Sequence, residues 1–241
     1  LLKKEFLNWN NIMTVNYNPK IVTDSLVLCL DAANTKSYPG SGTTWTDITG
    51  KGHNGTIDGA TFSSDNNGIF DFDGSNDDIT FSNSSSLQPS NVDWTFEGWV
   101  NIDSSASNYN FLYANDASCQ VSWFSTTNEI QCWFNDVNST SNHNVTLYSG
   151  SDTAPKGQWH HVIVSRISNV WKLYLNGTEK ASVTDTFTVA TPSLVPTVGA
   201  YSSGIYRLDG KMSQVRIYKA KGLTAAEVRQ NFNATRTRFG I

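Results

Sequence analysis

Between Trp159 and Val183 apolar and polar residues change places at almost every step, first in WHHVIVSRI and then in WKLYLNGTEKASV. A period of two is the pattern of a β-strand, whose successive side chains point to opposite sides. In the first run Trp159, His161, Ile163 and Ser165 fall on one face and His160, Val162, Val164 and Arg166 on the other. Both faces carry apolar weight, so these strands belong inside a larger sheet packed on a second one. Asn176-Gly177, between Leu175 and Thr178, predicts a tight hairpin, because a type I′ turn needs positive φ at both central residues.

The same rule reads SLVLCLDAAN (residues 25–34) as a first strand that ends at Asp31. DWTFEGWVNI (residues 93–102) is a long central strand with Thr95, Glu97 and Trp99 opposite Trp94, Phe96, Gly98 and Val100. NFLYAN, ASCQVSWFS and EIQCWFND make three more strands, SLVPTVGAY another, and Met212, Val215, Ile217 and Tyr218 mark the closing one. GIFDFDGSNDDITF (residues 68–81) reads as a hairpin turning at Gly74-Ser75-Asn76, and residues 35–62 as a long loop anchored by Trp45 and Ile48. TAAEVRQNF predicts a short helix: Thr224 and Glu227 form a capping box, and Ala225, Val228 and Phe232 recur at helical spacing. The expectation is an all-β, two-sheet antiparallel sandwich over residues 24–233 with one short C-terminal helix, an N-terminal arm over 1–23 and a basic tail over 234–241.

A chain of 241 residues is long enough for one large sandwich without disulfide staples. Aromatic residues make up 12% and charged residues only 16%, the balance of short strands joined by polar turns. A net charge of −4 argues against nucleic acid as a partner. No apolar run reaches transmembrane length, so membrane insertion is not expected, and residues 1–12 lack the apolar core and cleavage site of a signal peptide. The chain opens on Leu1, for which an unusual start or trimming of a longer product would account. Phe6, Leu7, Trp9 and Ile12 give the arm an apolar side suited to docking on a neighbour or on its own domain. From Tyr206 onward eight basic residues (Arg207, Lys211, Arg216, Lys219, Lys221, Arg229, Arg236, Arg238) face only Asp209 and Glu227, which predicts a solvated basic face or a docking surface for an acidic partner.

Candidate chemistry is sparse. Asp31, Asp47, Asn54 and Asp58 could supply oxygens to a Ca²⁺, although Asp and Asn are also the ordinary residues of tight turns. Glu97, in a central strand, reads as a hydrogen-bonded acid on a sheet face. The glutamates (Glu5, Glu97, Glu129, Glu179, Glu227) lie far apart, without the paired carboxylates that glycoside hydrolysis needs. His160 and His161 point to opposite faces and cannot share a metal. With no nucleophile motif and no phosphate loop either, no catalytic residue is assigned. Cys29, Cys119 and Cys132 are odd in number and lack metal-ligand spacing; they read as small buried residues, with a Cys119–Cys132 bridge as the alternative. Strand aromatics such as Trp123 and Trp133 either stack on sugar rings or pack in the core.

The blocks LVLCLDAAN, TWTDITGKGHNGT, FDFDGSNDDI, WTFEGWV, QWHHVIVSR, WKLYLNG, VGAY and GKMSQVRIYKAKGLTAAEV, in that order, resemble the concanavalin A-like, laminin-G-like jelly-roll superfamily. The resemblance implies a two-sheet jelly roll with a concave face and a rim where relatives bind glycans, often with Ca²⁺. On that expectation Trp123, Trp133, Asn135, Tyr148 and Tyr201 are the candidate glycan contacts. Relatives commonly carry an acidic residue after the Gly of the closing strand, where this chain has Gly210-Lys211-Met212-Ser213-Gln214, so a contact of that kind is not carried over. More narrowly, VNYNPKIVTDSLVLCLDAANTKSYPGSGTTWTDITG and RQNFNATRTRFGI look like variants of the domain in structural proteins of tailed bacteriophages. This implies a non-enzymatic virion module (head fibre, capsid decoration or tail fibre) whose partners are other virion proteins, copies of itself and host-surface glycans. The alternative is a lectin-like carbohydrate-binding domain of a bacterial or secreted protein, acting outside the cell.

Overall fold

A computed structural model describes residues 20–82, 84–115, 118–135, 145–186, 188–190, 194–201 and 206–241; the expected apolar positions of the arm lie outside them. In chain order the strands are β1 (Leu26–Asp31), β2 (Thr44–Trp45), β3 (Gly55–Asp58), β4 (Thr61–Ser63), β5 (Ile69–Asp73), β6 (Asp78–Phe81), β7 (Trp94–Ile102) and β8 (Tyr109–Asn115). They continue with β9 (Cys119–Phe124), β10 (Glu129–Phe134), β11 (Val145–Tyr148), β12 (Trp159–Ile167), β13 (Val170–Leu175), β14 (Thr178–Thr184), β15 (Thr197–Val198) and β16 (Asp209–Lys219). Helix α1 (Ala225–Thr235) and a 3-10 turn (Arg236–Phe239) end the chain.

The strands form two antiparallel sheets, as expected of a jelly-roll sandwich. The first runs β14-β13-β12-β7-β16-β5-β4, with β1 beside the second half of β16; the other runs β11-β10-β9-β8-β15-β6-β3-β2. The alternating run that first pointed to strands is the β12-β13-β14 meander, and Asn176 and Gly177 take φ of 50° and 76° at its turn. Between the sheets, Trp94, Phe96 and Val100 of β7 and Met212, Val215 and Ile217 of β16 meet Tyr113, Val121, Trp123, Ile130, Cys132 and Phe134. Ring contacts such as Phe134–Trp171 at 4.0 Å and Phe96–Tyr113 at 5.2 Å join the layers. All three cysteines are buried and free, so Cys119 and Cys132 form no bridge.

Two expectations change. GIFDFDGSNDDITF is not a hairpin: β5 pairs with β16 and β4 in the first sheet, and β6 with β3 and β15 in the second. Its polar turn carries the chain from one layer to the other, held by the Asp77 carboxylate, which accepts from the Asp73 N–H at 3.0 Å. The long loop over 35–62 also contains three short strands: β2 and β4 are two and three residues long, and β3 alternates over only four residues inside turn-rich sequence.

The outer face of the first sheet is roofed by the chain's own C-terminus. The capping box at Thr224 and Glu227 starts α1 with both of its bonds present. Val228 joins Ile163, Tyr174, Tyr218 and Leu223, and Phe239 packs with Ile69, Trp99 and Trp159. Residues 234–241, expected as a basic tail, thus complete the helix and continue into a turn on the sheet.

Under this roof the Glu97 carboxylate, fully buried, meets the Arg216 guanidinium at 2.6 Å, the His161 ring at 2.9 Å and the Asn231 amide at 2.7 Å. Burial opposes its ionisation, yet Arg216, His161 and Asn231 together hold its pKa at about 2. Glu97 is therefore a structural acid, as its place in the strand predicted.

Candidate functional site

The outer face of the second sheet has a different character. In β9 and β10 the core takes Val121, Trp123, Ile130 and Cys132, so their neighbours point away from it. Strand pairing arranges the outward residues in three rows. The first is Tyr109–Phe124–Glu129, the second Phe111–Ser122–Gln131–Tyr148, and the third Thr197–Ala114–Gln120–Trp133–Thr146. A β-bulge between Phe111 and Tyr113 turns both Leu112 and Tyr113 inward, leaving Tyr109 and Phe111 on the outer side.

Tyr109, Phe111, Phe124 and Trp133 of these rows touch one another. Tyr109 stacks on Phe124 at 4.4 Å and meets Trp133 edge-on at 5.6 Å. Because Tyr109 and Trp133 start two rows and two strands apart, their rings close over Ser122, which is completely buried. From the loop before β16, Tyr206 stands 5.7 Å from Tyr109 and 6.1 Å from Phe111, and Tyr201 stands 5.3 Å from Phe111. Tyr148 and Tyr206 are 49% and 50% exposed, while Tyr109, Phe124 and Tyr201 are half-buried. Phe111, Trp133, Gln120 and Gln131 are themselves buried, so the accessible part of this surface is Tyr148 and Tyr206 with parts of Tyr109, Phe124 and Tyr201. Glu129, the single carboxylate in the rows, accepts from Thr127 Oγ1 at 2.8 Å and Gln131 Nε2 at 2.9 Å.

Three of the five candidate glycan contacts fall here: Trp133 and Tyr148 in the rows, and Tyr201 at their end. Asn135 follows β10, its backbone joined to Ser118 and Ala190. Trp123 requires correction. Its ring is 0% exposed and donates to the Ala154 carbonyl at 2.8 Å, because the alternation of CQVSWF sends Cys119, Val121 and Trp123 inward together. Sequence reading missed Tyr109, Phe111, Phe124 and Tyr206. Phe124 could have been found by assigning the more apolar side of its strand to the core; Tyr109 and Phe111 alternate in phase with the core residue Tyr113 and are left outside only by the bulge, and Tyr206, in a loop, gave no periodic signal.

The candidate Ca²⁺ oxygens do not converge. Asp47 accepts from the backbone N–H groups of Cys29, Thr49 and His53 and from the Thr49 hydroxyl, and Asn54 accepts from the Asp47 N–H. Asp31 is bonded to Arg238, Gln214 and the Ala33 N–H, and Asp58 is exposed on β3 opposite Asp78. Ca²⁺ needs six to eight oxygens around one point, roughly. These residues do not fit it, and among the described residues no cluster of three or more His, Cys, Asp or Glu could hold a metal ion.

Of the eight basic residues of the last segment, Arg229 and Arg236 are exposed, as a solvated basic face requires, while the other six are engaged. Arg207 meets Asp78 at 2.7 Å, Lys211 meets Asp103 at 2.5 Å, and Lys221 meets Glu227 at 2.8 Å. Arg216 is paired with Glu97, Arg238 with Asp31, and Lys219 donates to the Gln88 carbonyl at 2.6 Å. Their charges tie the C-terminal segment to the acidic body. No described helix is long and apolar enough to cross a membrane.

The sequence model of the concanavalin A-like lectin/glucanases superfamily matches residues 73–229, more than half of the chain. No curated protein sequence matches it. Among solved structures, the binding domain of Paraclostridial Mosquitocidal Protein 1 superposes with a TM-score of 0.69 at 15% identity, over 88% of this chain and 52% of that one. Domain 4 of AbnA, an extracellular GH43 arabinanase from Geobacillus stearothermophilus solved with arabinotriose, gives 0.65 at 20% identity, over 86% of this chain and 98% of that one. The botulinum neurotoxin serotype D binding domain gives 0.66 at 15% identity, over 87% and 51%. This chain spans about half the length of the two toxin domains. At these identities the likeness is one of fold.

Proposed function

The chain belongs to the concanavalin A-like lectin/glucanase superfamily, and we propose that within it this protein is a non-enzymatic carbohydrate-binding module that reads glycans on the outer face of its second sheet. One observation carries the proposal: the connected rings of Tyr109, Phe111, Phe124, Trp133 and Tyr206, of which Tyr206 and parts of Tyr109 and Phe124 reach solvent, with the exposed Tyr148 on the neighbouring strand. Sugar rings present a C–H face that stacks on aromatic rings, and the exposed rings of Tyr148 and Tyr206 offer such faces. Hydrolysis would require a second carboxylate across the bond from Glu129, and the rows supply none. Much of the outer face of the other sheet is covered by α1 and the turn after it, and the cleft left beside β1, lined by Cys29, Asp31, Gln214, Arg216 and Thr235, presents no aromatic ring.

Arabinotriose in the arabinanase domain supports the reading by analogy of fold. Such a module meets its ligand outside the cell or on the surface of a virion. If the resemblance to tailed-phage structural domains extends to function, host-surface glycans are the ligand, and other virion proteins or copies of itself are the assembly partners.

Alanine at Tyr148 and Tyr206 together tests the proposal. Both rings are half exposed, so their loss leaves the core intact, and the melting temperature should stay within about 2 °C of wild type. Affinity for any glycan that the wild-type protein retains on an array should fall about tenfold or more. Undiminished binding by a normally folded double variant would move the site elsewhere.

A further inference from the structure

We infer that the ligand of this face is a neutral glycan and that the face selects against carboxylated and sulfated sugars, an inference that rests on the carbohydrate-binding reading above. Its first support lies in the distribution of charge along the chain. Between Lys51 and Lys156 there is no Lys or Arg at all, while thirteen Asp and Glu residues fall in the same stretch. That stretch supplies β3, β6, β8, β9, β10 and β11, which is most of the second sheet. Residues 202–205, which precede Tyr206, add no cation either.

The cations closest in sequence to the aromatic rows are already engaged. Arg207, next to Tyr206, is paired with Asp78 at 2.7 Å. Lys156 donates to the Ser104 and Ala106 carbonyls, and its ammonium lies 5.5 Å from the ring of the core-facing Trp123. Recognition of a carboxylate or sulfate ordinarily relies on Arg or Lys, with Arg giving paired hydrogen bonds. Here an anionic sugar would give up water for rings and the carboxylate of Glu129, with no Lys or Arg among the described residues of the rows to offset the loss. Neutral hydroxyls suffer no such penalty, and the same rings serve neutral sugars. The selectivity is thus one of exclusion: the missing cation rejects charged sugars while stacking holds the rest.

Matched pairs that differ only in their acid groups provide the test: N-acetyllactosamine and its 3′-sialyl form, dextran and dextran sulfate, galactan and its sulfated form. Binding is measured at low and at moderate salt. The neutral member of at least one pair should be held about tenfold more tightly than its anionic partner, with little dependence on salt. Thr146→Lys, which places one cation beside Trp133 on the outer face, should raise affinity for the anionic member in a way that salt reverses; no gain would overturn the electrostatic cause. Anionic members bound as tightly as neutral ones, or more tightly, would overturn the inference and leave carbohydrate binding standing. Silence toward both members of every pair, at high protein concentration, would remove both.

Discussion

Arg216→Met is expected to destabilise the fold by about 3–5 kcal/mol, because it leaves the Glu97 carboxylate buried without its guanidinium. Glu97 is fully buried and the Arg216 side chain is 3% exposed, and the 2.6 Å contact between them sits where β7, β16 and α1 meet. His161 and Asn231 would still hold the carboxylate, but neither replaces the missing full charge. Urea titration gives the readout: a lowered midpoint at unchanged slope. A midpoint like that of wild type would mean that the cluster is open to water.

The same cluster sets the acid limb of stability. The Glu97 carboxyl has a folded pKa of about 2 against an ordinary 4.5. A depressed folded pKa contributes stability that is fully present above the ordinary value and withdrawn as pH falls through the folded one. Protonation of the folded cluster should therefore remove about 3 kcal/mol between pH ~5 and pH ~2. In Glu97→Gln this part of the limb should flatten, while other carboxylates keep their own contributions. An identical pH profile in the variant would refute the assignment.

Phe239→Ala should rank with the Arg216 change, at about 3 kcal/mol or more. Its ring lies 4.1 Å from Trp99 and 4.7 Å from Trp159, at the point where the last turn closes over the first sheet. Truncation removes both contacts and loosens the neighbouring Arg238, whose guanidinium holds Asp31, Ser213 and the Gly68 carbonyl. Thermal unfolding of Phe239→Ala beside Phe239→Leu separates lost volume from lost stacking. Sugar binding on the far sheet should survive in both. A melting temperature unchanged in the alanine variant would show that the roof contributes little.

What could be read in the chain followed local physics. The meander over 157–183, its Asn176-Gly177 turn, the capping box and the two-faced pattern around Glu97 all depend on neighbours within a few residues. The same pattern assigned Glu97 a structural role. What escaped was set by distant partners. Ile69–Asp73 and Asp78–Phe81 look like a hairpin because a polar turn joins two apolar runs, but β5 pairs with β16, far along the chain. The turn chemistry of a hairpin and that of a crossing between layers are alike. At the aromatic face, Trp133 and Tyr148 were legible as aromatics without a fixed side, whereas Trp123 was misplaced for want of that side. Asp31, Asp47 and Asn54 showed the opposite problem: oxygen-rich loops read as cation ligands until their hydrogen bonds to backbone and guanidinium groups were in view.

The most direct test of the account is to map where a bound sugar sits, by following backbone amide shifts as a retained oligosaccharide is titrated into the full chain. The account predicts shifts concentrated along β8 to β11, at Tyr109, Ser122, Gln131 and Trp133, and near Tyr206. Shifts concentrated instead in the loop around Asp47 and Asn54, or on the roof formed by α1, would contradict it.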